Sequence, residues 1–175
     1  MRNLLIFGYI TKYKMTIWRD IMVVLFFFEL MALLIFFKLA DLKRFRELLP
    51  IVFTGVYLRF LDHYILIDWL ELWHIHGTLN SVLWLPMSAD LTIWPVVTYL
   101  FIQYLPKIKV WIYILSWSVL MYVYVRVLFW IDLYSAKKGW LPIYSAFFML
   151  SYFSLLFLFW KWLRKPYTIK KTSRS

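Results

Sequence analysis

A chain of 175 residues that is 64% apolar and 23% aromatic, with only 17% charged residues and a mean hydropathy of +0.72, carries more apolar surface than a soluble domain of its size can bury. The same figures exclude a disordered tail, and four glycines with no cysteine exclude a collagen-like fibre and a disulfide-stapled module. What remains is an all-α membrane protein, a polytopic bundle of about five helices at roughly 20 residues each, with no room for a separate soluble domain.

Residues 1–20 hold a short apolar run from Leu4 to Ile10, broken by Lys12, Tyr13 and Lys14 and followed by no small-residue cleavage site. Interleaved aromatic and basic residues predict an interfacial segment lying on the membrane rather than a signal peptide. The five-helix domain then takes residues 21–163. Its first span is Ile21 to Phe37, whose one charge is Glu29. A charged connector follows, and Pro50 suits the first turn of a second helix, where its missing N–H costs nothing.

That second helix runs to about Ile67, interrupted by Arg59, Asp62 and His63. From Asp68 to Pro86 the chain is rich in Trp, acid and His and contains no Lys or Arg. A third span covers Ala89 to Leu105, with Pro95 near its start, a fourth Val110 to about Ile131, and a fifth Trp140 to Trp160. Tryptophans flank many of these spans, where an indole buries its ring and keeps its N–H wet. The basic tail, residues 164–175, is expected to be cytoplasmic and disordered.

The net charge of +11 raises nucleic acid as a partner, but the charge sits at helix flanks, where it reports topology and contact with anionic lipid. Lys38, Lys43, Arg44, Arg46, Lys107, Lys109, Lys161 and five residues of the tail give twelve positive charges on one side. The other side has six: Arg2, Lys12, Lys14, Arg19, Lys137 and Lys138. The richer side belongs in the cytoplasm, which sets the N-terminus outside and the C-terminus inside.

The third span carries an acid, an aromatic-Pro pair four and five positions on, and a Tyr-x-Pro exit with a basic residue: Asp90, Trp94, Pro95, Tyr104, Pro106 and Lys107. In this it resembles a family of small five-span membrane proteins of Gram-positive, spore-forming bacteria. The similarity runs from about Leu42 to Lys165 and weakens in the His-rich outer loop. It implies five spans with N outside in a bacterial cell membrane, and it implies no activity.

Ionisable residues within a bilayer are costly, roughly 2.5 to 3.5 kcal/mol on insertion scales, so each needs a partner or a pathway. Glu29 and Arg59 lie about 12 and about 13.5 Å below the outer ends of their helices at 1.5 Å per residue. Equal depth predicts a structural ion pair between them, the alternative being Arg59 with Asp62 on its own helix. Asp62, His63, Asp90, Arg126 and Asp132 all fall near the outer face of three helices and form the candidate binding site. If Asp68–His76 is helical, Glu71 and His74 share a face, and with His76 they make a weak candidate metal site.

No phosphate loop, nucleophile elbow or metalloprotease motif is present. A non-enzymatic accessory or partner-binding role fits best, with no cofactor. The bilayer and a membrane-protein partner are the expected contacts, and nucleic acid is not. A small transporter or channel using Glu29, Arg59 and the outer recess is the alternative, and a membrane enzyme acting on a lipid the second.

Overall fold

The computed structural model describes residues 22–76 and 79–164. Its five helices are α1, Met22–Leu39, α2, Phe45–His63, α3, Leu79–Gln103, α4, Val110–Trp130, and α5, Pro142–Leu163, joined near one end by two short strands, β1, Trp73–Ile75, and β2, Tyr134–Ala136. The chain is all-α in class, and four stretches are long and apolar enough to cross a membrane: α1, the continuous helical run Leu42–Trp69, α4 and α5. The fifth, α3, is 25 residues long and carries Asp90 and two prolines, Pro86 and Pro95. Phe26, Phe53, Trp111, Val119, Leu120 and Phe147 lie exposed on the outside of the bundle, a surface that hydrocarbon accepts and water does not. The interfacial segment expected at residues 1–20 and all but Arg164 of the basic tail lie outside the described residues.

Helix boundaries follow local chemistry. The Asp41 side chain accepts from the Lys43 N–H and starts a 3-10 turn, Leu42–Arg44, that leads directly into α2. The helix therefore begins five residues before Pro50, which sits inside it rather than in the first turn, as the sequence suggests. At the far end α2 widens into a π-helical turn, Tyr64–Trp69, instead of stopping near Ile67. In α5, Leu141 is extended before Pro142, the conformation a following proline enforces, and Pro142 opens the helix.

The α1–α2 connector is tied to the C-terminal end of α3. Gln103 Oε1 accepts from the Asp41 N–H at 2.7 Å, while its Nε2 donates to the Leu39 carbonyl at 2.8 Å. Tyr104 Oη donates to the same carbonyl. The opposite end is closed by β1 and β2, paired antiparallel with Trp73 opposite Ala136, His74 opposite Ser135 and Ile75 opposite Tyr134. Buried Trp73 sits there among Phe129, Trp140 and Tyr134, at ring separations of 5.1, 5.6 and 5.7 Å. The segment expected as the His-rich outer loop thus contains strand β1 and the first turns of α3, which starts ten residues earlier than its apolar run implies.

Candidate functional site

Two stripes of side chains at four-residue spacing face each other across the α2–α3 interface. Gly55, Arg59 and His63 climb one face of α2, and Asp90, Trp94 and Thr98 descend one face of α3, because a step of four returns nearly to the same azimuth. The pairs meet in register. Thr98 lies against Gly55, the Arg59 guanidinium carbon stands 4.1 Å from the Trp94 ring centroid, and His63 Nδ1 is 2.7 Å from Asp90 Oδ2.

Arg59 is the hub of a charged centre near the β-capped end. Its Nη1 donates to Asp62 Oδ2 at 3.2 Å, and its Nε lies 3.5 Å from Asp90 Oδ1. Side-chain exposures of 5% for Arg59 and 2% for Asp90 put that pair in the core, whereas Asp62 at 18% and His63 at 13% reach toward the edges. Arg59 Nη2 and Tyr134 Oη each come within 3.4 Å of His63 Nε2. Since a guanidinium can only donate, Nε2 is the accepting nitrogen and Nδ1 faces the Asp90 carboxylate. Burial, with the Asp90 carboxylate nearby, pushes the Tyr134 phenol well above its ordinary value, so it stays neutral over the centre.

The centre holds one guanidinium against two carboxylates, an excess of acid. Two recesses border it. One, of about 270 Å³, lies between α2 and α5 and is lined by Asp62, Leu58, Ser151 and Tyr152 among others. The other, of about 380 Å³, lies beside His63 and is lined by Phe60, Tyr64, Ile67, Asp68, Ile75, Pro86 and Met87.

Of the five residues expected at an outer site, Asp62, His63 and Asp90 converge and Arg126 and Asp132 do not. The buried face of α4 is Ile114, Ser118, Met121, Val125 and Leu128. Arg126, one residue past Val125, is rotated off that face and stands exposed, 5.7 Å from the Phe129 ring. Asp132 occupies a left-handed turn with φ of 58° and is likewise exposed.

The expected Glu29–Arg59 pair is also corrected: the carboxylates at ion-pair distance from Arg59 are those of Asp62 and Asp90. Equal depth is not enough, because α1 turns its Glu29 side toward α4. Its neighbour Phe28 packs on Tyr124 with 5.4 Å between ring centroids, and Glu29 Oε1 is buried without a hydrogen-bond partner, as is Tyr124 Oη. Glu29→Gln and Arg59→Met are therefore expected to act additively, with a coupling below about 0.5 kcal/mol in a double-mutant cycle on unfolding in detergent. A coupling above about 1 kcal/mol would restore the pair.

The metal candidate fails on local geometry. Glu71 has a positive φ of 48°, and β1 replaces the helix that was to align it with His74. His76 follows that strand, and all three side chains are exposed. Among the described residues, no three His, Cys, Asp or Glu side chains group to hold an ion.

Sequence reasoning missed Trp94 as the platform under Arg59 and Tyr134 as its lid. The Arg59/Asp62/His63 spacing was a visible signal for the first half of the centre. Comparison of the chain with protein-family models, with curated proteins and with solved structures returns no match.

Proposed function

We propose that the chain is a multi-pass protein of a bacterial cell membrane with a non-enzymatic, ligand- or partner-binding role, exercised at the end that carries Arg59. One observation carries this reading: among the described residues, the buried ion pairs lie at that end, whereas the Arg44–Glu47 pair at the opposite end is partly exposed to the surroundings. Beyond the Thr98–Tyr152 hydroxyl contact of 2.8 Å, the interior is filled by Leu48, Ile51, Phe101, Phe153 and Leu156, all fully buried. A packed aromatic and aliphatic core supports a site open to one side, where conduction needs a polar lining. The bacterial source is supported by the likeness of the third helix to small five-span proteins of spore-forming bacteria. The charge count favours the N-terminus outside, with the charged centre facing out.

Reconstituted vesicles test it. Imposed proton or sodium gradients are expected to decay no faster than in protein-free vesicles. Decay that accelerates with the protein and returns to baseline in Asp90→Asn would move the reading to a transporter. Orientation is checked by single cysteines, which meet no native thiol. Lys43→Cys should label from the cytoplasmic side and Lys137→Cys from the outside.

A further inference from the structure

The recess beside His63 has the chemistry of an ammonium site. Two of its walls are aromatic, Phe60 and Tyr64, and two are polar, His63 and Asp68, with Ile75 and Met87 completing an apolar floor. Its volume of about 380 Å³ lies within the range of about 300–1,000 Å³ typical of small-ligand pockets. Asp68 stands at its mouth, exposed, with no ion pair or hydrogen bond among the described residues.

Formal charge near it leans acidic, with Asp62, Asp68 and Asp90 against Arg59. Behind His63 lies the centre, with two carboxylates to one guanidinium, and the chain from Asp68 to Pro86 has no lysine or arginine. Lys137 and Lys138 follow β2 at the end that pairs with Trp73, while the recess touches Ile75 at the other end of the ladder. A carboxylate beside aromatic rings in an apolar hollow attracts a soft organic cation, whose positive surface is drawn to ring faces and sheds water more readily than a sodium ion does.

We propose that this recess binds an organic ammonium ion, either free or as the head group of a lipid. The inference rests on the binding role proposed above and names its ligand class. Tetramethylammonium is the probe, titrated into the protein in phosphatidylglycerol nanodiscs at constant ionic strength against sodium and followed by the unfolding temperature and by calorimetry. Saturable binding is expected, weakened about fivefold by Asp68→Asn and to a similar degree by Tyr64→Leu. Both positions are exposed and leave the core intact.

Neutral 3,3-dimethylbutanol, of similar shape, should not compete. In phosphatidylcholine nanodiscs, a right-shifted titration identifies the lipid head group as occupant, and an unchanged one identifies a free ammonium compound. Equal competition by the neutral alcohol, an unaltered Asp68→Asn titration or no saturable binding overturns the proposal. The two readings fail separately: ion flux in vesicles defeats the binding role whatever the titration shows, and absent binding without flux defeats only the ammonium site.

Discussion

Asp90→Asn is expected to destabilise the protein by about 3 kcal/mol, the usual scale for leaving a buried charge without its partner, and by clearly more than Asp62→Asn. Asp90 is the carboxylate that touches both Arg59 and His63, and it is almost fully enclosed. Without its charge, Arg59 keeps only Asp62, and His63 Nδ1 loses its anionic neighbour. Asp62 reaches the edge of the bundle, so its neutral amide can turn to solvent or lipid head groups, and a loss of about 1 kcal/mol is expected there.

The measurement is reversible unfolding in mixed micelles. Arg59→Met/Asp90→Leu separates the penalty of an orphaned charge from the worth of the pair. Replacing both members by apolar residues of similar volume should recover much of what either single change loses, because the desolvation cost disappears with the charges. A loss in Asp90→Asn no larger than that in Asp62→Asn would remove Asp90 from the hub.

The stripes that build this centre were half legible. Arg59, Asp62 and His63 stand at spacings of three and four, and Asp90 and Trp94 at four, so each set was visibly one face of one helix. Which face meets which is a matter of helix rotation, and hydropathy is silent on rotation in a chain whose helices are apolar all round. That is why depth alone paired Glu29 with the wrong helix, and why Arg126, a single residue off the buried face of α4, was placed in the site. The strands were out of reach for a different reason. Each is three residues long, and they pair across some sixty residues of chain, so no local alternation announces them. Their consequence is large all the same, since they bring Tyr134 over His63 and exclude the helix on which the Glu71–His74 metal candidate depended.

Gly55→Ala is expected to cost about 2 to 3 kcal/mol, the range for forcing extra atoms into a packed interface. A methyl group there would stand 2.5 Å from Thr98 Oγ1, 2.9 Å from Thr98 Cγ2 and 2.8 Å from Tyr152 Oη. Small residues let helix backbones approach in a membrane, where lipid leaves packing as the main source of association. Here the approach also sets the site. Gly55 lies one turn below Arg59 and Thr98 one turn below Trp94, so widening the α2–α3 gap at the first pair lifts the guanidinium off the indole at the second. Tyr152 belongs to α5 and lines the recess beside Asp62, so that wall shifts as well.

Thr98→Ala removes two of the three clashing atoms, at the loss of its contact with the Tyr152 hydroxyl. Gly55→Ala/Thr98→Ala should therefore be more stable than the two single losses add up to, with a coupling of about 1 kcal/mol or more. Strict additivity would mean that the helices are held at this distance by something other than the missing side chain.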